Sequence, residues 1–302
     1  MSPLAGARQP VDARAADREG RRQVSEQGRR LLGDVLRARR ALGHDVPDPG
    51  PPDGPLPLED ADDVRRWFAE HRDDVVAAIR LADDVAVELL AHVWRALPAD
   101  ADRRWPLELY DCAAPLAAAL PTSRPLAAAF RAGAEALRAR GSLRPAAALG
   151  MRELAVWRLL DDPEPLADAL DALAATYRAQ GRLHRVIGCA DEVLELRIRA
   201  GDPHAVARAL THLGSLMVEV GRLDTALNYL TRADKAFEDG PPSPDRGRAQ
   251  VLLGRALWLS GDEGAARRRL RRVLPGLADE DARAARELLD LPAGSTPEQG
   301  HE

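Results

Sequence analysis

The sequence predicts an all-α protein built from helical hairpins repeated at a constant pitch of about 40 residues. Three observations carry that expectation. Alanine, leucine and arginine dominate while aromatic residues make up only 4% of the chain, a composition suited to close-packed helices and poor in what pleated strands require. Shifting the chain against itself by 40 residues brings Gly141, Gly181, Gly221 and Gly261 into one column. Between these units, DDPEP at 161–165, AGDPH at 200–204 and GPPSP at 240–244 each stop one helix and start the next, because proline is tolerated in a first helical turn.

Along the chain, residues 1–18 lack apolar periodicity and are expected to be disordered. From 19 to 43, Val24, Leu31, Leu32, Val35, Leu36 and Leu42 form a helical stripe that needs a surface, and packing back on the following helices is the expected arrangement. Residues 44–60 read as a stiff linker rich in proline, glycine and aspartate. A divergent helical segment with an irregular first repeat follows over 61–122. Four repeats come next, at about 123–162, 163–202, 203–242 and 243–276, then a capping helix over 277–291 and a disordered tail over 292–302.

Within the repeats the columns are small or apolar. Two residues after the glycine stand Leu143, Leu183 and Leu223, with Glu263 as the exception; five after it stand Ala146, Val186, Ala226 and Ala266; four before it stand Leu137, Tyr177, Met217 and Leu257. Their chemistry is steric. A glycine after the first helix adopts the left-handed conformation that ends it, and a small residue opposite lets the second helix approach closely.

The two best-formed units, ALTHLGSLMVEVGRLDTALNYLTRADKAF and AQVLLGRALWLSGDEGAARRRLRRVL, resemble the tetratricopeptide repeat. Leu213 and Gly214 match its leucine-glycine pair, Met217 its tyrosine position, Gly221 its turn, Ala226 its close-contact alanine and Leu230 its aromatic position. In the last unit these are Leu253, Gly254, Leu257, Gly261, Ala266 and Leu270. The resemblance implies a tetratricopeptide-like solenoid, a right-handed superhelix of hairpins. Its usual unit is about 34 residues, so the longer pitch here lengthens the helices by about 9 Å per unit. The first unit departs from the pattern, with Gly133 and Ala134 at the pair and Gly150 at the aromatic place.

Upstream, DADDVRRWFAEHRDDVVAAIRLA resembles a segment of actinobacterial signalling regulators that follows their NB-ARC nucleotide-binding core and winged helix and precedes their tetratricopeptide repeats. Trp67, Glu70, Arg72, Val75, Ala77, Ala78 and Ile79 carry the match. GRRLLGDVLRARRAL is similar to the helix before that segment, and LLAHVWRALPADADRRWPLELYDCAAPLAAAL to their irregular first repeat, with Trp94 and Trp105 at the aromatic places. The similarity runs from about residue 20 to 290 and implies the sensor or scaffold array of a STAND-type, antibiotic-regulatory transcription factor without its nucleotide-binding domain. A P-loop needs Gly-Lys-Ser/Thr to cradle phosphate, and the sole lysine, Lys235, follows Asp234.

Charge and composition narrow the function classes further. The net charge is -5 with no basic domain, so nucleic acid is not an expected partner. No run approaches about 18 apolar residues and no apolar signal core opens the chain, so neither a membrane nor an exported location is expected. Cys112 and Cys189 stand far apart without metal-like neighbours and read as small buried hydrophobes of a reduced, cytoplasmic protein. The seven histidines make no HExxH spacing, and no nucleophile elbow or CxxC is present; no catalytic residue, metal or cofactor is expected.

In a tetratricopeptide array the first helices line a concave groove, and register then nominates its residues. These are Arg131, Glu135 and Arg138 from the first repeat, Asp168, Asp171 and Arg178 from the second, Arg208, Thr211, His212, Ser215 and Glu219 from the third, and Arg248, Arg255 and Trp258 from the fourth. The planar fork of arginine suits carboxylates, so a protein or peptide bearing acidic residues is the expected partner of a non-catalytic adaptor or sensor arm. Two alternatives stay open: these arginines pair with Glu135, Asp168, Asp171 and Glu219 across neighbouring helices, and Trp258 belongs to the core. A small-ligand or signalling-peptide receptor that controls a separate DNA-binding protein is the alternative function, and self-association is open. Arg267, Arg268, Arg269, Arg271 and Arg272 read as a solvated outer face neutralised by Asp279, Glu280, Asp281 and Glu287 of the capping helix.

Overall fold

Local sequence already punctuates the helices. The computed structural model describes residues 9–50, 58–81, 83–98, 100–102, 104–239 and 243–292, and among them there are helices and no strand. The disorder expected of 1–8 and 293–302, and linker residues 51–57, lie outside the described residues. The fold is an all-α, tetratricopeptide-like repeat. The chain forms two compact units, one up to Ala169 and one from Leu170, with the division inside helix α8.

The first unit contains α1 (Gln9–Ala41), α2 (Ala61–Glu70), α3 (Arg72–Arg80), α4 (Asp84–Ala96), α5 (Arg104–Ala119), α6 (Arg124–Ala139), α7 (Leu143–Leu160) and the start of α8 (Pro163–Ala179). The disorder expected over 1–18 is corrected from Gln9 onward, because α1 begins there. The alanine and arginine of residues 9–18 favour helix on their own. Further along α1, Leu31, Val35 and Ala38 are buried, and this face packs on α4. Asp83 serves two helices at once: it accepts from the Ala86 amide as the N-cap of α4 and from the Ser25 hydroxyl of α1, both at 2.9 Å. An edge-to-face chain of Trp67, Phe68 and Trp105, with centroids 5.1 Å apart at each step, joins α2 to α5. Of the residues that carry the upstream resemblance, Trp67, Val75, Ala78 and Ile79 are core, and Arg72 forks onto Glu108 with bonds of 3.0 and 2.6 Å. That stretch therefore builds the scaffold.

The second unit contains the rest of α8, then α9 (Leu183–Ala200), α10 (Pro203–Glu219), α11 (Leu223–Glu238), α12 (Pro244–Leu259), α13 (Glu263–Val273), a 3-10 turn (Leu274–Gly276) and α14 (Asp279–Asp290). At each hairpin corner the glycine is left-handed, with φ of 73° at Gly141, 70° at Gly181, 74° at Gly221 and 93° at Gly261. The amide one residue further on then reaches back to the carbonyl four residues before the glycine. These bonds are Ser142 to Leu137, Arg182 to Tyr177, Arg222 to Met217 and Asp262 to Leu257, at 2.9, 2.9, 2.8 and 3.0 Å. This is the Schellman closure, which satisfies carbonyls that a helix end leaves open.

Inside the hairpins, a glycine on the first helix receives a leucine from the second. A Cβ placed on Gly214 would lie 2.5 Å from Leu230, and one on Gly254 would lie 2.6 Å from Leu270. In the first repeat, whose sequence departs from the pattern, the space beside Gly133 is shared by Leu149 of α7 at 2.5 Å and the Trp94 indole of α4 at 2.8 Å. Gly133 and Leu149 each stand one residue nearer their own helix start than their counterparts in the later repeats. In α8 and α9 the corresponding residues are Ala174 and Ala190.

The arginine run of α13 is partly structural, which corrects its reading as a wholly solvated face. Arg267 donates to the Leu289 and Leu291 carbonyls at the end of α14, at 2.8 and 2.6 Å, and stacks 4.5 Å above the Trp258 ring. Arg269 pairs with Asp234, which also accepts from Arg246 and Gln250 at 3.0 Å. Arg268, Arg271 and Arg272 stay exposed.

Two mid-helix glycines should respond oppositely to alanine. Gly188 in α9 has open space around its absent side chain, so Gly188→Ala is expected to stabilise by about 0.5–1 kcal/mol. Gly214→Ala is expected to destabilise by about 1–3 kcal/mol through the collision with Leu230. Urea unfolding midpoints test the pair, and equal signs would contradict the packing described.

A pH dependence follows from His92, whose Nδ1 accepts from Arg39 at 2.7 Å. Burial, and then the charges of Arg39 and Arg95, hold its pKa down to about 4 from 6.5. Between those values the unfolded chain binds the proton and the folded chain does not. Stability therefore falls as pH drops through that window, by up to about 3 kcal/mol at 1.36 kcal/mol per pH unit. Urea midpoints recorded from pH 7 to 4 should fall more steeply for the natural protein than for His92→Gln; parallel curves would remove His92 from the account.

Candidate functional site

In the second unit a trough of about 610 Å³ lies between α8, α9 and α10. Its position starts with capping. Asp202 accepts from the His204 and Ala205 amides at 2.9 and 3.1 Å, and Pro203 occupies the first turn, which fixes where α10 begins. The trough floor is apolar and shallow-sided, made by Ala174, Ala175, Val186, Ala190, Val193, Ala205 and Ala209. Asp171 and Arg178 from α8, Arg197 from α9, and Arg208 and His212 from α10 form its rim.

Three arginines against one aspartate give the rim a positive balance. Arg178 donates through Nη1 to both carboxylate oxygens of Glu219, at 3.0 and 2.9 Å. Both partners are partly exposed, so the pair contributes at most about 1 kcal/mol. His212 keeps an edge open to solvent, yet the protein around the ring displaces water and lowers its pKa below the ordinary value; Asp171 opposes that shift and Arg178 adds to it. The imidazole is therefore neutral at physiological pH and can donate or accept a hydrogen bond.

The residues nominated from the sequence separate into groups. Asp171, Arg178, Arg208 and His212 meet at the trough, and Glu219 adjoins it through Arg178. Ser215 is half-buried, Arg248 is exposed with its charge bearing on His212 and Asp281, and Arg255 is half-buried on α12. In the first unit Glu135, Arg138 and Asp168 are exposed.

Three nominations are corrected. Thr211 is buried, its hydroxyl donating to the Ala207 carbonyl at 2.8 Å, so it belongs to the helix interior. Trp258 is 3% exposed and lies beneath Arg267, which makes it core. Arg131 is committed across the α6–α7 hairpin, donating through Nε to Glu153 at 2.6 Å. Glu153 is 2% exposed; burial pushes its carboxyl pKa up, while Arg131 and the Trp157 indole N–H pull it back.

Sequence reasoning confined the groove to first helices and so missed the α9 wall with Arg197. The signal was present in the leucine column, where Ala190 replaces Leu230 and Leu270. Chemically, a broad apolar floor under fixed arginine forks supports recognition. Among the described residues no group of three His, Cys, Asp or Glu is placed to hold a metal, and no helix is long and apolar enough to cross a membrane. Cys112 and Cys189 are both buried.

Comparison with known proteins places this trough in a named repeat. The tetratricopeptide repeat family model matches residues 165–239, which covers α8 through α11. No curated protein matches the sequence significantly. Among solved structures, BtubC (BKLC) from P. vanneervenii is similar with a TM-score of 0.46 and 18% identity, over 80% of this chain and 91% of its own. A protein described as a kinesin light chain with nearly identical TPR-like repeats, from Podosopora anserina, gives a TM-score of 0.46 and 16% identity over 68% and 94%.

The corrected role of Arg131 is open to a double-mutant cycle. Arg131→Ala strands a buried carboxylate and is expected to cost about 3 kcal/mol, whereas Arg131→Ala combined with Glu153→Gln should cost clearly less. Additive losses in chemical denaturation would mean that the two side chains act independently.

Proposed function

We propose that the chain is a non-catalytic binding arm that holds an acidic peptide segment of a partner protein in the α8–α10 trough. Tetratricopeptide repeats generally mediate protein–protein interaction. The observation that carries the more specific reading is the convergence of Arg178, Arg197 and Arg208 around an apolar floor, with Asp171 as the one carboxylate among the described lining residues and Glu219 adjoining through Arg178. Guanidinium forks grip carboxylates bidentately, and an apolar base lets an extended chain lie down without stranding its own polar groups.

A regulatory or sensor role in bacterial signalling is the setting we favour, supported by the resemblance of residues 60–82 to the segment preceding the repeats of NB-ARC regulators. The burial of Cys112 and Cys189 as small apolar side chains supports a cytoplasmic location within that reading.

Fluorescence anisotropy with labelled nine-residue glutamate-rich peptides tests the reading. Binding should weaken as salt rises, and Arg208→Glu, whose side chain is exposed, should reduce affinity at least about tenfold with little change in unfolding midpoint. Unchanged affinity in that variant would sink the assignment of the trough.

A further inference from the structure

Comparison of the hairpins explains why the trough lies where it does. In α10–α11 and α12–α13 the space beside the first-helix glycine is filled by Leu230 and Leu270, both fully buried. The matching residue in α9 is Ala190, facing Ala174, and both line the trough. Val186, larger than Ala226 and Ala266 at the equivalent place, returns part of the missing volume and lines the trough from a buried position. The second repeat thus lacks the side chain that closes its neighbours, and the vacancy opens between arginines.

Resting on the trough as a peptide site, we propose that the Ala174–Ala190 vacancy is a specificity pocket that takes one branched aliphatic side chain of the bound segment, Val, Ile or Leu, flanked by its acidic residues. The incoming side chain would occupy the place that Leu230 and Leu270 hold in the following hairpins, completing from outside the interlock those hairpins make internally. Charge selects the same occupant. Arg178 and Arg208 stand on the α8 and α10 sides of the floor, so carboxylates on either side of an aliphatic residue meet opposite charge while that residue sits over alanine.

The experiment uses fluorescein-labelled nine-residue peptides with a Gly/Ser frame, two glutamates on each side and a central Ala, Val or Leu. With the full natural chain, the Leu peptide is expected to bind at least about tenfold tighter than the Ala peptide. Ala190→Leu combined with Ala174→Gly rebuilds the glycine–leucine packing of α10–α11 and should reduce that preference to less than about twofold, while all the peptides keep their dependence on glutamate. If the double variant loses helical circular dichroism, Ala190→Val alone replaces it and should cut the preference at least about threefold.

An Ala peptide that binds as well as the Leu peptide in the natural chain, or a preference that survives filling the vacancy, overturns the pocket. Loss of binding in Arg208→Glu would then leave the peptide-binding trough standing. Failure of every glutamate peptide to bind the natural chain overturns both.

Discussion

The α10–α11 and α12–α13 hairpins depend on one contact: a leucine of the second helix seated where the first helix has no side chain. Gly214 with Leu230, and Gly254 with Leu270, leave no room for a Cβ. The glycine brings a helix-weakening residue into the middle of a helix, which the burial of a whole leucine side chain more than offsets. Because the leucine is held in a slot rather than against a smooth face, the two helices are fixed in rotation as well as in spacing. In the first unit Gly133 plays a related part, its missing side chain leaving room for both Leu149 of α7 and the Trp94 indole of α4.

Corners make that contact reproducible. A left-handed glycine and a backbone bond across it return the chain at a set angle, so the residues on either side of the corner meet in the same way in every hairpin. The apolar column four residues before the glycine marks the residue whose carbonyl closes the corner. Proline and capping Asp or Ser residues then mark where the next hairpin starts, as at Asp202 and Ser243.

The trough lies where that contact is absent. With alanine on both sides, the α8–α9 hairpin keeps its corner but not its filled interior, and the result is an apolar trough edged by arginines. A concave surface needs exposed apolar area, which the closed hairpins do not offer in the same place. The Arg178–Glu219 pair at its edge is partly exposed and so contributes little to the fold. Arg131, by contrast, is held by a buried carboxylate and serves the hairpin itself.

Sequence by itself determined the helical class, the 40-residue pitch and the four corners, because glycine, proline and capping residues act over a few positions and leave their mark in order along the chain. It also determined the arginine-rich character of the trough and named Asp171, Arg178, Arg208 and His212. Tertiary structure decided the rest, since burial depends on what the opposite helix presents. It took Thr211 and Trp258 into the interior, engaged Arg131 with Glu153 and Arg267 with the end of α14, and brought Arg197 of α9 to the rim. The meaning of an alanine at 190 was likewise invisible in one dimension, because a missing side chain becomes a pocket only when the facing helices hold their distance.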